Sequence, residues 1–118
     1  MDPLTIDVNL IRGGDWYETI NLFEDDGVTA RDTTDYVMEM TIKSPNGDLH
    51  DTLTTAFTPP ESQGDNGITH TPAQGQFNLK IASTTLAAYD FATAERRVIV
   101  TDDAGAKTVL IIGNVTVR

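Results

Sequence analysis

The sequence has no cysteine among its 118 residues and few basic side chains. The lack of cysteine excludes disulfides and thiolate metal sites, so stability must come from packing and hydrogen bonding. Eighteen acidic residues against eight basic ones give a formal net charge of −10. Such a charge repels phosphate backbones and anionic membrane surfaces. We therefore expect neither nucleic acid nor a membrane as a partner.

Long apolar runs are also missing. The longest aliphatic stretch, residues 109–112, is far shorter than the ~20 residues of a membrane span. The opening Met1-Asp2-Pro3 lacks the basic and apolar regions of a signal peptide. These features predict a soluble chain made in the cytoplasm. Its length and ordinary apolar content favour a single folded domain over residues 1–118.

What the sequence does have is apolar and polar residues in alternation, the period of a half-buried strand. Leu4, Ile6, Val8 and Leu10 predict a first strand of this kind. Similar segments, separated by turn residues, predict further strands. They cover residues 16–23, 36–42, 49–57, 68–71, 76–81, 96–101 and 107–117. Seven or eight strands at this spacing predict an all-β, antiparallel two-sheet sandwich, with a small closed barrel as the competing architecture.

Three local features add detail to this prediction. Ser83 is suited to cap one short helical turn over residues 84–89, the single helix-like segment of the sequence. Gly113 interrupts the last strand and suggests a β-bulge there. Residues 58–66 contain prolines and glycine without periodicity, which predicts a mobile surface loop.

Residue patterns typical of catalysis are weak in this chain. His50 and His70 are the only histidines and lie in no recognisable motif, and none of the three serines lies in a Gly-x-Ser-x-Gly elbow. The pairs Asp25-Asp26 and Asp102-Asp103 could offer oxygen ligands to calcium. Asp followed by Gly is, however, ordinary turn chemistry. We predict no enzymatic activity, no cofactor and no metal.

Aromatic and basic residues suggest possible contact points. Trp16 shares a strand face with Ile20 and is expected in the core, whereas Tyr17 points the other way and is expected to be exposed. Arg96 and Arg97 form the one adjacent basic pair. In an acidic chain this pair could mark a contact site, although a solvated strand start is the ordinary explanation.

The order of several short motifs resembles a family of immunoglobulin-like domains from bacteriophage tails. The motifs are Arg-Gly-Gly-Asp-Trp at 12–16, Asp-Gly at 26–27, Thr-x-Tyr at 34–36, Met-x-Met-x-Ile at 38–42, Gly-Ile-Thr at 67–69, Gln-Gly-Gln-Phe at 74–77, the segment 83–86, and Val-Thr-Asp-x-x-Gly at 100–105. They span nearly the whole chain. Two departures stand out: Asp35 occupies a position where glycine is usual, and residues 91–95 replace the usual Pro/Gly-containing entry to the penultimate strand.

The resemblance implies an immunoglobulin-like structural module of the tail, baseplate or fibre apparatus, located in the virion and without catalysis. Its partners would be other virion proteins and copies of itself. A capsid decoration protein is an alternative, and a glycan-binding host-attachment module that uses Tyr17 and the loop at 58–66 is another. The expected assembly contacts lie on the two terminal strands, on Tyr17 and on the arginine pair. They are Leu4, Ile6, Val8, Leu10, Tyr17, Arg96, Arg97, Val109 and Ile111.

Overall fold

The computed structural model describes residues 3–55 and 66–118, and these form an all-β domain with one short helix. The strands within the described residues are β1 (Leu4–Thr5), β2 (Val8–Leu10), β3 (Trp16–Asn21), β4 (Val37–Lys43), β5 (Leu49–Thr54), β6 (Asn66–Thr71), β7 (Gln76–Ile81), β8 (Thr93–Thr101) and β9 (Lys107–Val117). Helix α1 (Ser83–Ala88) lies between β7 and β8.

The strands form two sheets that pack face to face. The large sheet has the order β1-β9-β8-β4-β5, with β2 also paired to β9, and the small sheet has the order β3-β7-β6. These are the G-F-C-C′ and B-E-D orders of immunoglobulin domains, with β3 as strand B and β8 as strand F. The two-sheet immunoglobulin-like sandwich is confirmed, and the closed barrel is wrong because no strand pairing joins the sheets within the described residues.

Side chains from the inner faces of both sheets fill the core. The large sheet contributes Met38, Met40 and Val98, and the small sheet contributes Phe77 and Leu79, all of them fully buried. Met38 and Met40 therefore both point from β4 into the core. Trp16 packs half-buried against this core. Removing these apolar side chains from water is the main favourable contribution to folding.

The first strand differs from its prediction in two ways. The segment 4–10 is broken into β1 and β2, and both pair in parallel with β9, so the sheet is not purely antiparallel. At the break, the Ile6 amide donates to the Ile112 carbonyl at 2.9 Å, and Asp7 Oδ1 accepts from the Asn114 amide at 2.9 Å. The alternation of residues 4–10 therefore does not give one buried face, because the chain changes course at residues 6 and 7.

Gly113 has a different role from the predicted bulge. The register shift in β9 lies at Leu110, since Val98 pairs with Ile111 and Ile99 with Val109, whereas Gly113 is in register opposite Arg96. A Cβ atom on Gly113 would lie 2.1 Å from the Ile6 carbonyl oxygen. Glycine is needed here because the first strand crosses directly over this backbone.

The connections follow their predictions only in part. The hairpin from β6 to β7 turns through Pro72–Gln74 and Gly75, whose φ of 60° lies in the left-handed region that glycine adopts without strain. Helix α1 has Ala82 at its N-cap position, so the predicted cap at Ser83 is wrong and Ser83 is the first residue of the helix. The Ser83 amide donates to Asp15 Oδ1 at 2.7 Å. Of the predicted loop at 58–66, Asn66 begins β6 and residues 58–65 lie outside the described residues.

Candidate assembly surfaces

The structure separates the expected contact residues into exposed and buried groups. Leu4 is 64% exposed and Tyr17 65% exposed, and Ile6 and Arg97 also reach the surface. Val8 and Val109 are half-buried. Leu10 and Arg96 are buried within this chain, so for these two the prediction is wrong. Ile111 is 5% exposed and lines a surface groove, so its role as a contact stays a prediction.

Leu10 and Ile111 are buried because their strands turn these side chains toward the small sheet. Val8, Asn9 and Leu10 lie beside Val115, Thr116 and Val117, so Leu10 shares its inward direction with Val117. Ile111 lies opposite Val98 on the same inner face. Both residues belong to the core cluster, where they contribute to stability.

Arg96 forms a buried ion pair between the two sheets. Its side chain is fully enclosed, and the guanidinium donates to both Glu18 carboxylate oxygens at 2.7 and 3.0 Å. Its Nε also donates to the Ile6 carbonyl at 3.1 Å, and Trp16 lies beside it with its ring centroid 6.0 Å away. Bidentate geometry of this kind is the strong form of the arginine–carboxylate contact.

This ion pair connects β3 with β8, the strands that carry the inter-sheet disulfide in antibody domains. Because the chain has no cysteine, a salt bridge joins the sheets at this level instead. The alternation itself contained the signal: Arg96 shares its face with Ala94 and Val98, and Glu18 shares its face with Trp16 and Ile20. Arg96 and Arg97 are adjacent in sequence, but along a strand their side chains point to opposite faces of the sheet, so they do not form one basic site.

A groove opens between the edge of the small sheet and the edge of the large sheet. This edge groove has a volume of about 530 Å³. Its apolar lining comes from β1, from β3 and the segment after it, from the residue before β4, and from β8 and β9. The large apolar and aromatic residues that define it are Leu4, Ile20, Leu22, Phe23, Tyr36, Val100, Leu110 and Ile111.

Unpaired strand edges run along both sides of the edge groove. Among the described residues, β3 pairs with β7 alone, so its other edge is open. On the large sheet, β1 covers Ile111 and Ile112, which leaves residues 107–110 of β9 paired only with β8 in the described part of the chain. Backbone groups on open edges are able to bind a further strand.

A second concave surface lies on the solvent side of the large sheet and has a volume of about 530 Å³. We call it the outer face and define it by residues of β4, β8 and β9. These are Glu39, Thr41, Lys43, Glu95, Arg97, Ile99 and Ile112. The four charged side chains are exposed. None of them takes part in an ion pair with another described residue.

The paired acidic residues stabilise their own turns. Asp26 Oδ1 accepts from the amides of Val28 and Thr29, both at 2.8 Å, and with the Thr29 hydroxyl these bonds lower the pKa of Asp26 below 3.8. Asp102 Oδ1 accepts in the same way from two amides of its own turn at 2.9 Å. In the described part of the chain, no group of three or more acidic or histidine side chains is placed to hold a metal ion.

The two histidines take part in packing contacts. His70 stacks on Phe77, and its Nε2 lies 2.7 Å from the Thr33 hydroxyl. Partial burial lowers the pKa of His70 below 6.5. His50 stacks on Phe91, and the neighbouring Tyr89 donates to Asp51 at 2.5 Å. Burial and this carboxylate together raise the pKa of the Tyr89 hydroxyl.

Comparison with protein-family models and with curated protein sequences finds no match for this chain. Its helices in residues 3–55 and 66–118 are too short or too polar to cross a membrane.

Proposed function

We propose that this chain is a structural protein of a bacteriophage particle that acts through protein–protein contacts. Its place would be the tail, as a component of the baseplate or of a fibre attachment, after synthesis in the host cytoplasm. The order of motifs resembling the phage tail family supports this proposal, as does the immunoglobulin-like strand order. The role requires no catalysis and no cofactor, and the proposed partners are neighbouring virion proteins.

The edge groove is the observation that carries this proposal. It combines an apolar lining with two open strand edges, so it offers both side-chain burial and backbone hydrogen bonds to one extended segment. These are the two components of β-strand addition. Leu4 stands at this groove with most of its surface in water. The proposed occupant is an extended segment of a neighbouring virion protein.

Substitution at Leu4 tests this proposal in particles. Leu4→Glu places a charge in the edge groove, and we expect it to prevent incorporation of an otherwise folded protein into virions. Ile11→Glu is the matched control, because Ile11 is 63% exposed against 64% for Leu4 but is not part of the groove lining. Quantification of both variants in purified particles, with circular dichroism of the isolated proteins, gives the comparison.

Normal incorporation of Leu4→Glu would contradict docking through the edge groove. Imaging particles that carry a label at Arg118 locates the protein. Signal at the tail tip agrees with the proposal, and signal over the head would replace it with capsid decoration. Absence from particles would remove both virion functions.

Glycan binding is a second candidate, favoured by the exposure of Tyr17. Its ring is 65% exposed, with the Lys80 ammonium 5.7 Å from the ring centroid and Asp15 within 3.4 Å of its hydroxyl. An exposed ring with polar neighbours is a platform on which a sugar can stack. A glycan array of the folded protein, compared with Tyr17→Ala, tests this alternative; no signal from the folded wild type would remove it.

A further inference from the structure

We infer that the outer face of the large sheet is a docking surface for a second copy of this chain, related by a two-fold axis. This inference deepens the proposed assembly role by naming a self-contact separate from the edge groove.

The outer face is electrically balanced on an otherwise acidic protein. It carries two acidic residues, Glu39 and Glu95, and two basic ones, Lys43 and Arg97. These four charges sum to zero, so the whole formal charge of −10 belongs to the rest of the chain. Two copies therefore repel each other over most orientations but not when their outer faces meet. Charge arrangement of this kind selects an orientation of approach.

The positions of the charges favour one symmetric arrangement. Lys43 lies directly opposite Glu95 on the neighbouring strand, Thr41 opposite Arg97, and Glu39 opposite Ile99. Consider a two-fold axis that runs parallel to the strands, in the interface and between β4 and β8. It places β4 of one copy over β8 of the other, so each residue faces its own cross-strand partner, but in the second copy. Lys43 then faces Glu95 of the second copy, and the same contact occurs twice, as isologous symmetry requires.

The other simple axis is less favourable. A two-fold axis perpendicular to the strands, through the row of Thr41 and Arg97, would also pair opposite charges, Lys43 with Glu39 of the second copy, but it would place each Arg97 on its counterpart in that copy. Like charges in direct contact are destabilising. The parallel axis instead places Arg97 against the hydroxyl of Thr41 and creates no like-charge contact.

The face also has the size and composition of an interface. Ile99 and the exposed Ile112 lie within it, and the exposed Leu49 pairs with Lys43 at its border, so apolar surface accompanies the charges. The protein measures 40 × 33 × 23 Å. A broad face of these dimensions accommodates the roughly 800 Å² per partner of a standard interface.

Charge exchange tests the arrangement on the purified protein. Sedimentation from about 10 μM to about 1 mM should show a monomer–dimer equilibrium for the wild type. Lys43→Glu and Glu95→Lys should each raise the dissociation constant about tenfold or more, because each creates two like-charge contacts. The double variant Lys43→Glu/Glu95→Lys restores opposite charges across the axis and should regain the wild-type dissociation constant.

Arg118→Glu is the control for net charge, since it changes the formal charge from −10 to −12 as Lys43→Glu does but lies off the outer face. It should leave dimerisation unchanged. A wild type that remains monomeric at about 1 mM would overturn the inference. So would a double variant that dimerises no better than the single ones. Because this test needs no virion, it is independent of the Leu4→Glu result: each proposal can fail while the other stands.

Discussion

Replacing Glu18 with leucine should strongly destabilise this domain. The substitution leaves the Arg96 guanidinium fully enclosed and removes both charge-assisted bonds, at 2.7 and 3.0 Å, that compensate its charge. What remains is the bond from its Nε to the Ile6 carbonyl and a weak bond to the Met40 sulfur at 3.7 Å. Because the Arg96 side chain has no access to water, its charge cannot be solvated without opening the core.

The expected magnitude follows from the buried charge. Removing one partner of a buried ion pair costs about 3–5 kcal/mol, against a total stability of about 5–15 kcal/mol for a domain. At about 4 °C per kcal/mol for a chain of this size, the melting temperature should fall by about 12–20 °C. Arg96→Met should cost less, about 1–3 kcal/mol, because the remaining Glu18 side chain is 18% exposed and can reach water.

Urea unfolding of four proteins measures these effects: the wild type, both single variants and Glu18→Leu/Arg96→Met. The double variant removes both charges, and its main loss is the bond to the Ile6 carbonyl, worth about 1 kcal/mol. It should therefore lie within about 1–2 kcal/mol of the wild type, since apolar replacement of a buried pair is often neutral or favourable. A double variant as unstable as Glu18→Leu would refute the reasoning, as would a Glu18→Leu cost below about 1 kcal/mol.

Three further predictions concern other parts of the core. Gly113→Ala should cost about 1–3 kcal/mol in urea unfolding, since its Cβ would overlap the first strand, whereas Gly14→Ala, with its nearest neighbour at 3.8 Å, should be nearly neutral. Tyr89→Phe should cost about 1.5–3 kcal/mol because it removes the 2.5 Å bond to Asp51, and an unchanged unfolding midpoint would contradict that bond. Burial lowers the pKa of His70 below 6.5, so the unfolded state binds a proton more readily than the folded state. The free energy of unfolding should therefore decrease as the pH drops below about 6.5. Urea unfolding midpoints measured from about pH 7 to 5 should show a smaller decrease in His70→Gln than in the wild type.

The sequence predicts those features of the fold that depend on neighbouring residues. The hairpin between β8 and β9 follows from alternation on both sides of a turn that contains two aspartates and Gly105, and the β6–β7 hairpin from Pro72 and Gly75. Such turns specify their own conformation and the pairing of adjacent strands. The exposure of Tyr17 likewise follows from alternation along β3.

Features that depend on distant segments could not be predicted in this way. Alternation shows that residues 4–10 are extended, but it does not show that they join β9 in parallel or break at residue 6. The burial of Arg96 depends on Glu18, which lies 78 positions earlier. The backbone of Asp35 was not predicted either: its φ of 66° lies in the left-handed region, where aspartate is enriched among the non-glycine residues.

The parallel pairing of the first and last strands has a mechanical consequence. β1 lies beside Ile111 and Ile112, and β2 beside the end of β9, so the two chain directions coincide along this edge. A force that pulls Leu4 and Val117 in opposite directions loads these hydrogen bonds in shear, and they must break together. Antiparallel strands at the same place would instead peel apart one bond at a time. This pairing therefore makes the domain resistant to a pull between its first and last strands.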